Sequence, residues 1–159
     1  MKLRKILVYG LISGLLSFSS CSTPKTMSGN YTFKTECIRT ELDGSQSLIA
    51  WGNGGAKSDA IENAKKKAVR DVLFQGINEG KSDCNLVPII LEVNAQKKYE
   101  AYFNKFFGNN GDYKGFVSVK KELKSIKVSV DKSVTYELEV SVLRAELKQK
   151  MISDGILKN

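Results

Sequence analysis

The chain has 159 residues, with 25 Lys and Arg against 17 Asp and Glu, a formal charge of +8, and no histidine. Without histidine it lacks the commonest general base and the usual zinc ligand, which argues against histidine-dependent hydrolysis and zinc chemistry. Three cysteines and one tryptophan complete the distinctive residues.

The first predicted element is a leader. Lys2, Arg4 and Lys5 precede an apolar run from Ile6 to Leu16, and small polar residues then lead to Cys21. That is the pattern of a secretory signal peptide, and the run is too short between its flanks to span a bilayer. Phe18-Ser19-Ser20-Cys21 resembles a lipobox in the relaxed form of Bacteroidetes, which implies that Cys21 is acylated and becomes the first mature residue. The plainer alternative is an ordinary signal peptide with an incidental cysteine. Several acyl chains on one residue anchor stably, since each buried methylene contributes about 0.8 kcal/mol.

Ser22 stands where an inner-membrane retention signal places Asp, and "STPKTMSGN" carries no acidic cluster. Both features resemble an outer-membrane lipoprotein facing the periplasm. The expected organisation is a signal peptide over 1–20, a lipidated tether over 21–30 and one domain over 31–159. The mature 139 residues suffice for one core but hardly for two. Lys2, Arg4 and Lys5 leave with the leader and no acidic residue does, which takes the charge from +8 to +5. Export argues against nucleic acid as a partner, so the basic balance points to anionic lipid headgroups or an acidic protein surface.

The domain opens on extended chain, with strands predicted over Tyr31 to Leu42 and Gln46 to Trp51 about an Asp43-Gly44 hairpin turn. Cys37 shares the alternate face of Tyr31 and Phe33 and is expected to point inward, while Cys84 lies in polar "NEGKSDCN". With Cys21 assigned to lipid, these two remain in an oxidising compartment, where pairs tend to become bridges. A Cys37–Cys84 disulfide is the expectation, and two separate thiols the alternative.

A helix is predicted from Ser58 to about Ile77, with Ser58 as N-cap and Asp59 in its positive first turn. Ala60, Ala64, Ala68 and Val72 form its inner face, flanked by Ile61, Val69, Leu73 and Ile77. Small residues there let it lie close to a sheet, and Lys65, Lys66, Lys67 and Arg70 occupy the opposite, solvated face. Leu86 to Val93 is apolar and strand-like, but Pro88 reduces it to an edge or a loop.

A second helix, Ala95 to Phe107, gathers Tyr99, Tyr102, Phe103, Phe106 and Phe107 into an aromatic seam. Core packing is the plainer reading of that seam, and partial exposure toward a partner the sharper one. Two long strands follow. In Ser133 to Leu143, even-numbered Val134 to Val142 alternate with Thr135, Glu137, Glu139 and Ser141, the pattern of a half-buried antiparallel strand. In Phe116 to Val130 the apolar phase shifts from odd to even positions, which predicts a bulge near Lys124-Ser125. Asp131-Lys132 is the turn, and Arg144 to about Ser153 a short final helix. The fold expected is α+β, an antiparallel sheet with helices packed on one face.

"WGNGGAKS", residues Trp51 to Ser58, looks like a phosphate loop, yet Trp51 and Ala56 stand where its two anchoring glycines belong. Gly52, Gly54 and Gly55 therefore read as the structural turn from strand to helix, with Lys57 in solvent.

"AWGNGGAKSDAIENAKKKAVRDVLFQGI" followed by "YELEVSVLRAEL" resembles the domain shared by the twenty-kilodalton membrane-associated lipoprotein family of epsilon-proteobacteria and the N-terminal domain of flagellar assembly protein T. Gly52, Gly54, Asp59, Ala60, Asn63, Ala64, Ala68 and Val142 carry the likeness. It covers most of 46–150, least well in "NLVPIILEVNAQKKYEAYFNKFF". The resemblance implies an envelope-associated, non-catalytic domain that packs against other proteins.

No catalytic constellation, metal site or cofactor is expected. Cys37 and Cys84 have no histidine to activate a thiolate, and neither a Gly-x-Ser-x-Gly elbow nor a Ser-x-x-Lys motif occurs. Three functions remain to be weighed. The leading one is a scaffold or accessory subunit of an envelope assembly, docking a protein partner through Tyr99, Tyr102, Phe103 and Phe106 or a sheet edge. The second is a carrier of a small apolar or glycan ligand beside Trp51, Tyr99 and Tyr102. The third is a hydrolase using Glu137 or Glu139, against which stands the plainer reading of a solvated strand face. The sequence leaves the oligomeric state open.

Overall fold

The computed structural model describes residues 33–82, 84, 87–127 and 132–158. The expected signal peptide, Cys21 and the expected tether lie outside these residues, as do Val128, Val130 and Asp131 of the expected last hairpin.

Strands β1 (Glu36–Thr40) and β2 (Gln46–Gly54) form the first hairpin, with Gly44 at φ 80° in its turn. The Gly44 backbone is one that side chains avoid, which is why Asp-Gly marks the place. β1 is shorter than predicted because its pairing slips between Cys37 and Arg39 and ends at Glu36. β2 is longer: it stays paired through Gly52 and Gly54, opposite Tyr136 and Val134.

Helix α1 (Lys57–Arg70) runs back over β2. Its N-cap is Ala56 rather than Ser58, because the Asp59 carboxylate accepts the Ala56 N–H at 3.2 Å and starts the helix earlier. The alanine face is as expected, with Ala60, Ala64, Ala68 and Val72 fully buried. A π turn, Asp71–Gln75, continues the helix to Gly76, whose φ of 75° ends it.

The Pro88 segment is a loop rather than a strand. Its Ile89 and Ile90 N–H groups donate to the Val72 and Leu73 carbonyls, at 3.0 and 2.8 Å, so the loop is tied to the end of the first helix. Before it, Glu79–Gly80 forms a two-residue strand β3 that sequence reading missed; it pairs in parallel with β1. The predicted second helix is broken into α2 (Ala95–Lys98) and α3 (Glu100–Phe106) at Tyr99, whose φ of −111° and ψ of 33° leave helical geometry while its ring packs against the core.

A 3₁₀ turn, Asp112–Phe116, leads into β4 (Val117–Lys127), β5 (Val134–Val142) and α4 (Arg144–Ser153). The bulge expected near Lys124-Ser125 is found between Glu122 and Lys124, and a second slip that was not expected lies between Val119 and Lys121. Leu123 falls unpaired inside the slip between Glu122 and Lys124, and Val119 lies on the edge strand, and both are left substantially exposed instead of inward.

The sheet order is β3-β1-β2-β5-β4, antiparallel except for β1 with β3. The fold is α+β, as expected, and the sheet is open. Leu48, Ala50, Leu138, Val140 and Val142 point toward α1, and Leu147 and Met151 of α4 complete the same core. Each fully buried Leu or Val contributes about 1.5–3 kcal/mol. Cys37, inward as predicted, is bridged to Cys84 with Cα atoms 6.2 Å apart. Among the described residues, every member of the core lies between Cys37 and Leu157.

Candidate functional site

The strand-to-helix glycines are not a turn in the sense expected. Gly52 and Gly54 are strand residues whose φ values are not positive; they are needed because the helix presses onto them. A Cβ on Gly52 would overlap the Ala60 carbonyl oxygen and the Ala64 amide, and one on Gly54 would crowd the Ala60 amide and Asp59. Gly55 alone sits in open space in the connection. Asn63 donates through Nδ2 to the Asn53 carbonyl at 2.8 Å and stitches the same joint. Lys57 is not loose in solvent: it pairs with Glu122 at 2.7 Å and lies over the Tyr136 ring, and the Glu122 hydrogen bond raises its pKa.

The ligand pocket expected beside Trp51, Tyr99 and Tyr102 does not form. Trp51 is an odd-numbered β2 residue, so its side chain leaves the sheet on the face away from α1, where it packs against Phe33 at 4.8 Å. Tyr99 and Tyr102 belong to the helical layer on the other face, and the sheet lies between. Glu137 and Glu139 share the Trp51 face, paired across the strands with Trp51 and Ile49 and with Lys124 and Lys121. Neither lines the cavities described below.

The aromatic seam is mainly core. Phe103 and Phe106 are buried, and Tyr99, Tyr102 and Phe107 pack partly against them. Tyr102 donates its hydroxyl to Asp154 at 2.5 Å. Burial, then that carboxylate, raise its pKa well above the ordinary phenol value.

What the structure does assemble is a groove between α1 and the α2–α3 pair, of about 920 Å³. Its floor is Phe74, Phe103 and Phe107, with Phe74 edge-on to Phe103 at 4.9 Å. Its rim carries Lys66, Lys67, Arg70 and Lys97 against the acids Asp71 and Glu100. The lysine face of α1 is thus one wall of a concave site, roofed over by a helix distant in sequence.

Asp71 anchors this wall. It stands at the start of the π turn and is only 5% exposed. The Thr35 hydroxyl donates to its Oδ2, and Lys67 Nζ donates to the same oxygen at 2.9 Å. Buried carboxylates persist only when paired in this way. Asp71, Lys67 and Gln75 also line a second cavity of about 370 Å³ beside Phe33 and Glu79, so the ion pair forms a partition between the two. π turns recur where a helix is reshaped for a site.

An aromatic floor with a cationic rim suits a ligand or peptide that is both apolar and anionic. Among the described residues no three His, Cys, Asp or Glu side chains gather to hold a metal ion. Sequence reading took Lys66, Lys67 and Arg70 as a solvated face and passed over Phe74. The available signal was Phe74 one turn beyond Arg70, an aromatic on the edge of the basic face. No family model, curated protein or solved structure matches the chain.

Proposed function

We propose that the protein is a non-catalytic lipoprotein, anchored in the outer membrane through acylated Cys21 and facing the periplasm. Its domain then serves as a scaffold or accessory subunit of an envelope assembly. The observation that carries the docking role is the groove between α1 and α2–α3, whose Phe74, Phe103 and Phe107 floor and lysine rim fit an acidic, partly apolar segment of another protein. The sequence likeness to envelope-associated packing domains supports the same reading.

The test is cross-linking in native envelopes read by mass spectrometry, comparing the natural chain with Cys21→Ala and with Lys66→Glu/Lys97→Glu. A stoichiometric partner lost in both variants is the expected outcome. Retention of that partner by the groove variant would overturn the docking site, and unchanged membrane fractionation of Cys21→Ala would overturn the anchor.

The volume of the groove favours a second reading, a binding module for a small ligand, since such sites span about 300–1,000 Å³. In this reading the ligand sits over Phe103 rather than beside Trp51, and it raises the melting temperature of the natural chain but not of Phe103→Ala relative to each apo form.

A further inference from the structure

We infer that the smaller cavity, beside Phe33, is a binding site for a neutral, hydroxyl-rich ligand of the class of a single sugar ring. It rests on neither reading of the groove, because it lies across the Asp71–Lys67 partition from it and has its own volume of about 370 Å³. That volume stands at the lower end of the range for small-molecule sites, about 300–1,000 Å³, and suits one ring with its substituents.

The cavity is built where two segments distant in sequence meet. Phe33, Lys34 and Thr35 arrive on the chain that leads into β1, while Gln75 and Asn78 come from the end of the π turn and just beyond it. Lys34 Nζ meets the Glu79 carboxylate at 2.6 Å and ties the two segments together. The Phe33 ring is held in place by Trp51 at 4.8 Å.

Charge selects the class of ligand. The cations and carboxylates of the lining are matched in pairs, Lys34 with Glu79 and Lys67 with Asp71, the latter at 2.9 Å. The lining is therefore neutral in sum, and a charged ligand would compete with one of these pairs instead of meeting an unpaired charge.

Hydrogen bonding narrows the class further. Thr35 is 4% exposed, so its hydroxyl is part of the cavity wall and not of the outer surface. It gives its proton to Asp71, which leaves the Thr35 oxygen able only to accept, and a ligand hydroxyl supplies the donor. The bonds from Thr35 and Lys67 both fall on Asp71 Oδ2, so Oδ1 remains a further acceptor that is not sealed from solvent. The Gln75 and Asn78 amides make no side-chain hydrogen bond among the described residues and offer both donors and acceptors. Sugar hydroxyls give and accept in the same way, and the C–H face of the ring suits the electron-rich face of an aromatic wall such as Phe33.

The experiment titrates the purified, oxidised full chain with glucose, galactose and N-acetylglucosamine, beside glucosamine and glucuronate as cationic and anionic counterparts. Side-chain amide signals in nitrogen-correlated NMR report the place of binding, since Asn78 lines this cavity alone and Asn104 the groove alone. At least one neutral sugar is expected to shift Asn78 and leave Asn104 in place, with the charged counterparts bound about tenfold more weakly. Thr35→Val should weaken calorimetric affinity about three- to tenfold. Asn78→Ala should do the same at an unchanged melting temperature, because Asn78 is exposed and belongs to no core. No shift at Asn78 with any of the neutral sugars overturns the inference. So do a shift confined to Asn104, which places the sugar in the groove, equal binding of the charged counterparts, and an Asn78→Ala variant that binds as the natural chain does.

Discussion

Gly52 of β2 and Ala64 of α1 meet backbone to backbone, with no room for a single added carbon between them. The alanine face of the helix and the glycines of the strand are two halves of one joint, because either would be useless without the other's small size. Gly52→Ala should therefore cost about 3 kcal/mol or more, while Gly55→Ala, whose new methyl group meets nothing, should be close to neutral. Urea denaturation of the two variants makes the comparison.

The Cys37–Cys84 bridge closes a segment with a sequence separation of 47 and ties β1 to the loop beyond β3. Cys84→Ser, or reduction of the natural chain, should lower stability by about 2–4 kcal/mol. Denaturation with and without a phosphine reductant measures it, and a reductant effect that persists in the variant would show another cause.

Asp71 holds Lys67 and Thr35 at the partition between the two cavities. Asp71→Ala strands an ammonium and a hydroxyl against a partly buried gap and should cost about 3 kcal/mol. Thr35→Val, which leaves the ion pair intact, should cost about 1–2 kcal/mol. A calorimetric comparison checks both the order and the size.

Hydrogen bonds from Ser47, then from Lys120 and Arg39, hold the Glu41 carboxyl at about 2, below its ordinary 4.5. A carboxylate with a depressed folded value contributes stability that is present above 4.5 and lost as pH falls toward 2. The natural domain should thus lose stability over that window more steeply than Glu41→Gln. Carbonyl-detected NMR titration should find Glu41 still ionised at pH 3.

At the alkaline end, burial and the neighbouring Glu62 raise the Tyr113 pKa above 10.0, as burial and Asp154 do for Tyr102. Both groups favour the protonated folded form, so their contribution is present below 10.0 and lost as pH rises past it. Ultraviolet titration should show two tyrosines ionising only late or on unfolding, one of them absent in Tyr113→Phe.

Much of the layer architecture was legible because it rests on local period: the alanine positions of α1, the even-numbered apolar positions of β5 and the Asp43-Gly44 turn. The disulfide was legible from cysteine number, read with the oxidising compartment that the sequence led one to expect. What escaped depends on contacts between distant segments. Nothing in Glu79-Gly80 announces a strand, because its pairing with Glu36 and Cys37 supplies the whole reason for it. Trp51 and Tyr102 both suggested a ligand surface, but only sheet parity reveals that they face opposite ways. The groove was hidden for the same reason, since Phe74 and Phe103 become neighbours only when α3 folds back over α1.

The backbone bonds from Ile89 and Ile90 to Val72 and Leu73 have a consequence for measurement. These two amide protons can exchange with solvent only when the loop lifts from the helix terminus or that terminus frays. They are natural reporters of the opening of the protein where its first helix, the Pro88 loop and the Asp71 partition share a support, and their exchange rates read that event without any label.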